Sequence, residues 1–274
     1  MVTVMGFRIG AQTYQWLAYA ARFGSTFSWQ QVCYEAGQAG YAGVELTGGW
    51  FSDLPSPQET MQFCESVGVR IVAFTASVGS DEDLELCRRK LEYLKEIGGS
   101  ALMVGPPGSS DVSPAERLRV LDDFIERCKR LAELCDRYQI PAGMHNHLWT
   151  VCETEEEIRH FLEAAPIGWC PDFGHAAAAG ADCIALLREF GHTVVHGHLK
   201  DVILDEQRRF VRFCELGRGN AGLDFALILH ILTEQAFSRW LVVEQDQTTV
   251  TPMYDQAVNR AYLASLGYEA ALRA

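Results

Sequence analysis

Eight short apolar runs alternate with amphipathic stretches along these 274 residues, and that alternation limits the fold more than any other feature. The runs are Phe7–Gln12, Ala42–Leu46, Arg70–Thr75, Ala101–Val104, Ala142–His145, Gly168–Pro171, Val194–Leu199 and Leu241–Glu244. They are short, several are rich in Val and Ile, and they read as strands. Helical spacing fills the intervals. It is clearest over Pro114–Tyr138, where Leu118, Leu121, Ile125, Cys128, Leu131 and Leu134 recur three and four residues apart. Ser113, Pro114 and Glu116 mark its start as N-cap, first-turn proline and capping-box acid. Thr154 with Glu157 repeats that signature for the next helix.

Strands separated by helices pair in parallel, with the helices packed outside them. Eight such units in about 250 residues is the count and length of an α/β, single-domain (β/α)8 TIM barrel. It is expected here over residues 1–274. An open doubly wound sheet is the rival, but it would show fewer units and a glycine-rich turn after the first strand. That strand instead runs into Gln12-Thr13-Tyr14-Gln15-Trp16. No linker, low-complexity tract or internal repeat divides the chain. One connection is unusually long, from Lys200 to Ala221. It carries Arg208, Arg209, Arg212, Glu215 and Arg218 and ends in a glycine-rich turn, Gly217 to Gly222. A connection of that length is either a solvated loop or a functional lid.

Charge and cysteine usage narrow the partners. The net charge of −13 counts against nucleic acid, whose binding is led by Lys and Arg on phosphates. No window approaches the roughly 18 to 20 apolar residues of a membrane span. The start, Met1 to Gly10, lacks the basic region and apolar run of a secretory signal. The 9 cysteines are scattered and form no C-x-x-C pair, so they read as reduced thiols of a cytoplasmic protein, packed as small hydrophobes.

In a barrel, the carboxyl ends of the strands converge over one mouth. Strand five ends in His145-Asn146-His147, strand six in Asp172-Phe173-Gly174-His175, strand seven in His196-Gly197-His198-Leu199-Lys200-Asp201 and strand eight in Glu244-Gln245-Asp246. Glu45 ends strand two. Imidazoles and carboxylates meeting at a point are the ligand set of a divalent ion such as Zn²⁺ or Mn²⁺. Asp172, His198 and Glu244 are the candidate metal ligands. His196 reads as filler of the barrel interior, and Asp201 and Asp246 as supporting or loop residues just past strand ends. The aromatics Tyr14, Trp16, Trp50, Phe51 and Trp149 follow strands one, two and five, where their faces would suit the C–H faces of a sugar ring. The loop arginines, Arg218 above all, could clamp a phosphate.

In this order, the segments Tyr41-Ala-Gly-Val-Glu-Leu, His145-Asn-His, Asp172-Phe-Gly-His175, His198-Leu-Lys-Asp201, Leu216-Gly-Arg-Gly and Val243-Glu-Gln-Asp246 resemble the xylose-isomerase-like TIM barrels. That superfamily holds sugar isomerases and epimerases, inosose dehydratase and endonuclease IV. The resemblance implies a metal held by a Glu on strand five, an Asp on strand six, a His on strand seven and a Glu on strand eight. The last three carry over to Asp172, His198 and Glu244. His145 stands where the first Glu is expected, and either it replaces that ligand and base together or His147 takes the binding role.

The resemblance further implies proton abstraction next to a carbonyl, with Glu244, His145 and His175 as the catalytic candidates. Glu45, His147, Lys200, Arg218 and Trp16 are the candidate substrate-binding residues. The cofactor is a divalent ion, Mn, Zn, Mg or Co, and the partner is a small sugar or cyclitol. Family members are often homo-oligomers. The leading expectation is a metal-dependent isomerase or epimerase of a keto sugar or keto cyclitol. The alternative is an inosose-type dehydratase on the same site, a lyase. A nuclease like endonuclease IV and a non-catalytic sugar-binding barrel rank lower.

Overall fold

Strands buried on both faces of a parallel sheet must be apolar along their length. The short apolar runs become the staves of a barrel in the computed structural model, which describes residues 6–110, 112–248 and 250–273. The span 1–274 reaches further, because Met1–Met5, Asp111, Thr249 and Ala274 lie outside the described residues. In chain order β1 (Arg8–Gln12) is followed by α1 (Tyr14–Phe23) and α2 (Trp29–Gln38), β2 (Gly43–Leu46) by α3 (Pro57–Ser66), and β3 (Arg70–Ala76) by α4 (Asp81–Ile97). Then come β4 (Ala101–Val104) with α5 (Pro114–Tyr138), β5 (Ala142–His145) with α6 (Glu155–Ala164), and β6 (Gly168–Cys170) with α7 (Phe173–Ala178) and α8 (Cys183–Phe190). β7 (Gly197–Leu199) leads into β8 (Asp201–Leu204), β9 (Phe210–Cys214) and α9 (Phe225–Glu234), and β10 (Trp240–Val243) into α10 (Pro252–Ser265) and α11 (Glu269–Arg273).

Eight of these strands form one parallel sheet in the order β6-β5-β4-β3-β2-β1-β10-β7. Parallel bridges Trp169 to Val194 and Asp172 to His198 join its two ends, and His198 N–H donates to the Pro171 carbonyl at 2.8 Å. The sheet therefore closes as a single-domain (β/α)8 barrel. The helix starts follow from their capping residues. Glu116 Oε2 accepts from the Ser113 hydroxyl at 2.6 Å, and Thr154 and Glu157 exchange bonds of 3.0 and 3.3 Å. On α5 the buried stripe is Leu121, Phe124, Ile125, Cys128, Leu131 and Cys135, while Leu118 is 56% exposed. The cysteines are buried. Among the described residues no helix is long and apolar enough to cross a membrane.

The connection after β7 corrects the sequence reading. It is not an irregular loop: β8 and β9 pair antiparallel, with Asp201 opposite Cys214 and Val202 opposite Phe213. Asp205 Oδ1 turns the hairpin by accepting from Gln207 and Arg209 N–H, each at 2.9 Å. Asp201 ties its base, accepting from Gly217 N at 2.9 Å and Gly219 N at 3.0 Å. A Cβ on Gly219 would meet Asp201 Oδ1 at 1.9 Å, so this close approach needs glycine.

At the amino end of the barrel, Trp240 packs with Val72 and Ala73. Its ring lies against Gly43, where a Cβ would come within 2.5 Å. Gly43→Ala should therefore overpack this end and cost about 2 kcal/mol, lowering Tm by roughly 5 °C in a thermal melt. An unchanged Tm would mean that the indole moves aside freely.

Candidate active site

The mouth at the carboxyl ends of the strands gathers the ionisable side chains. His145 ends β5, Asp172 caps α7 just after β6, His198 lies on β7, and Glu244 follows β10. Asp172 Oδ1 accepts from His175 N–H at 2.8 Å, which leaves Oδ2 for the centre. That oxygen lies 3.2 Å from His145 Nε2 and 3.8 Å from His198 Nδ1. Glu244 Oε2 lies 2.6 Å from His198 Nδ1 and 3.8 Å from His145 Nε2. One ligand atom from each of the four residues lies within 4.8 Å of the other three.

Two deeper residues hold this set in place. Glu45 is fully buried beneath it, 2.9 Å from His198 Nε2 and 2.7 Å from His196 Nε2. An ionised carboxylate only accepts, so His198 carries a proton on Nε2 toward Glu45 and another on Nδ1 toward Glu244. Burial alone would discharge it, but these carboxylates hold the imidazole charged well above its ordinary range. An ion at the centre would take the place of the Nδ1 proton. Metal-binding histidines are commonly oriented this way. Asn146 grips the end of β6: its Nδ2 donates to the Asp172 carbonyl at 2.9 Å, and its Oδ1 accepts from Asp172 N at 3.1 Å.

Lys200 is a further cation of the site. Its Nζ, completely buried, lies 3.2 Å from Asp172 Oδ2, 3.1 Å from Glu244 Oε2, 2.9 Å from Asp246 Oδ1 and 3.0 Å from His175 Nε2. Burial alone would discharge it, but the three carboxylates hold it protonated well above its ordinary range. Burial would likewise raise Asp172 and Glu244, and Lys200 with the neighbouring imidazoles keeps both below the usual carboxylate range. Burial pushes Asp246 up to about 6 and His147 down to about 4. His145 and His175 are lowered chiefly by burial as well. Four carboxylates, Glu45, Asp172, Glu244 and Asp246, thus crowd around few cations. Two imidazole nitrogens and two carboxylate oxygens facing one point, with excess negative charge, fit a divalent ion.

Above this floor lies a cavity of about 490 Å³, within the range of small-molecule sites. His145, His147, Glu244 and Asp246 reach it from the floor. The ends of β1 to β3 add Gln12, Thr47 and Thr75, and the loop after β5 and the hairpin add Trp149, Phe210 and Phe213. Of the five residues expected to touch substrate, His147 lines this cavity. Glu45 and Lys200 lie under the floor. Trp16 is corrected: α1 begins at Tyr14, which turns Trp16 into the core, where its indole donates to Glu35 at 2.6 Å. Arg218 is corrected too, since its side chain is largely exposed and pairs with Glu215 at 3.1 Å. His175 sits beneath Phe213, with ring centroids 4.7 Å apart. Tyr14 lines the cavity, whereas Trp50 donates to the Phe27 carbonyl and Phe51 packs on Phe74 and Tyr93.

Sequence reasoning missed Gln12, Thr47, Thr75, Phe210 and Phe213. The polar three sit at or just past strand ends, where the rule that found Glu45 would have found them. The two phenylalanines carry no such signal, because they depend on the unrecognised hairpin.

The sequence profile of the xylose isomerase-like TIM barrel family matches residues 33–266. The chain belongs to the xylose isomerase-like TIM barrel family. One curated relative, the inosose dehydratase of Geobacillus kaustophilus (strain HTA426), is 26% identical over 274 aligned positions that cover 89% of each chain. Among solved structures, the IolI protein with a binding zinc atom superposes with a TM-score of 0.77 at 13% identity, covering 96% of this chain and 99% of that one. A xylose isomerase-like TIM barrel protein from Mycobacterium smegmatis in complex with magnesium has a TM-score of 0.74 at 14% identity, covering 97% and 98%. These two likenesses are of fold. Against the ligand pattern that the family resemblance implies, Asp172, His198 and Glu244 converge, and His145 occupies the fourth position in place of Glu.

Proposed function

We propose that this family member is a divalent-metal-dependent lyase that dehydrates a keto cyclitol, an inosose-type dehydratase. His145 carries this reading. Epimerisation by two glutamates needs an acid and a base on opposite faces of the substrate, and His145 leaves Glu244 as the one glutamate at the centre. The name of the Geobacillus relative supports the same choice.

Asp172, His198, Glu244 and His145 would hold the ion. When bound, it would supply a Lewis acid for the ketone oxygen. The chain's own groups then divide the proton work. His147 Nδ1 lies 2.6 Å from the Leu148 carbonyl, which fixes the proton on Nδ1 and leaves Nε2 as a free base at the cavity. His147 Nε2 takes the proton next to the ketone. The C–H electron pair becomes a C=C bond as the β-carbon–oxygen bond breaks. Asp246, whose carboxyl burial raises to about 6, supplies the proton to the departing hydroxyl, while Lys200 stays charged 2.9 Å away and steadies the carboxylate that forms. The balance is ketone to enone plus water.

The second reading, an isomerase or epimerase, shares the first step and differs in reprotonation. Metal-loaded protein with an inosose in D2O separates them. Dehydration gives a new enone absorbance that matches ketone loss. Deuterium at the α-carbon without water loss would instead make the chain an isomerase or epimerase. Neither change, with the metal restored, would overturn both readings.

A further inference from the structure

We infer that Trp149 is the specificity-determining wall of this site, a platform that selects substrates presenting a flat ring face of C–H bonds over open-chain ones. This deepens the proposed function and rests on its keto-cyclitol reading. The first observation is burial. Trp16, Trp29, Trp50, Trp169 and Trp240 are all 5% exposed or less, whereas Trp149 is 54% exposed at the cavity. The second is backbone. Trp149 has φ 64°, a left-handed conformation that glycine adopts freely and bulky residues rarely do. Main-chain bonds around the turn hold it there without help from the indole. The Trp149 carbonyl accepts from Ser109 N at 2.7 Å, and Val151 N donates to the Pro107 carbonyl at 3.0 Å. Core burial does not explain a tryptophan at this position and backbone preference opposes it, so its side chain is there for what it meets in the cavity.

Its neighbours say what that is. The indole stands 5.5 Å from Phe210, edge to face, and Phe210 stands 4.8 Å from Phe213. Phe213 reaches the ionic floor, with Lys200 Nζ 4.6 Å from its ring centroid. On the other side the Trp149 ring lies 6.2 Å from His147. An aromatic wall thus runs from solvent to the polar floor. A polyhydroxylated ring has a face of C–H bonds for such a wall and an oxygen edge for the floor. It also arrives rigid and gives up little conformational freedom, unlike an open-chain ketose.

The test compares Trp149→Phe and Trp149→Gly with the parent protein, all metal-loaded. Trp149→Gly should keep or raise Tm, because glycine suits the backbone. It should keep its metal content and lose roughly tenfold in kcat/KM on an inosose, mostly through KM. Any turnover of an open-chain keto sugar should fall much less than that of the inosose, and Trp149→Phe should retain most of the ring preference. A second readout needs no turnover. Trp149 is the one exposed tryptophan, so acrylamide quenching reports on it. Myo-inositol, which has no ketone to react, should shield it, and sorbitol should not. Shielding without turnover of any inosose would overturn the dehydratase reading and leave this inference standing. Absence of shielding, or an inosose KM unchanged in Trp149→Gly, would overturn the inference.

Discussion

Asp172→Asn protein is expected to purify without stoichiometric divalent metal and to lose roughly a thousandfold in kcat/KM on an inosose, about 4 kcal/mol of transition-state stabilisation. The two oxygens of Asp172 do different work. Oδ1 accepts from His175 N–H at 2.8 Å and caps α7. An asparagine oxygen keeps that bond, so the variant should fold. Oδ2 faces His145 Nε2 and Lys200 Nζ, at 3.2 Å each. An amide there offers donors where an ion needs a lone pair, and it sets those donors against an ammonium. Metal content by elemental analysis and kcat/KM should therefore fall together, while Tm falls much less. Full activity with the metal gone would remove the ion from the chemistry.

Much of this site was legible because a parallel barrel places strand ends together whatever the helices do. His145, Asp172, His198 and Glu244 were each found by that rule, and the structure brings them to one point. The failures have physical reasons. Trp16 lies two residues past the start of α1, and a helix beginning that early turns its third residue inward, leaving Tyr14 at the rim. The hairpin was hidden because Asp205, Gln207, Arg208 and Arg209 form a polar turn, and only short, partly polar strands flank it. With the hairpin unseen, Arg218 reads as part of a solvated loop or functional lid, whereas Asp201 fixes the backbone on both sides of it. Glu45 was found as a mouth residue because spacing along a strand says nothing about depth in the barrel. Depth decides that it supports His198 and does not line the cavity.

Lys200→Met should have the largest effect on stability. In metal-free protein it leaves Asp172, Glu244 and Asp246 buried with no ammonium among them. Breaking such a buried set by removing one partner costs about 3–5 kcal/mol, or roughly 10 °C in Tm for a chain of this size. Methionine keeps much of the packing on Phe213, so the loss is chiefly electrostatic. Two further outcomes follow. Saturating Zn²⁺ or Mn²⁺ should raise Tm more in the variant than in the parent, because an ion at Asp172 and Glu244 replaces part of the missing charge. The gap between the metal-free proteins should also depend on pH. In the parent, Lys200 holds the carboxyls of Asp172 and Glu244 below their unfolded range. That contribution is fully present above about pH 4 and is lost as pH falls through the depressed folded values. In the variant those carboxyls protonate at higher pH, which relieves their repulsion. The Tm difference should therefore be widest near neutrality and narrow toward pH 4. A difference constant with pH would mean that Lys200 stabilises the floor by packing on Phe213 and not by its charge.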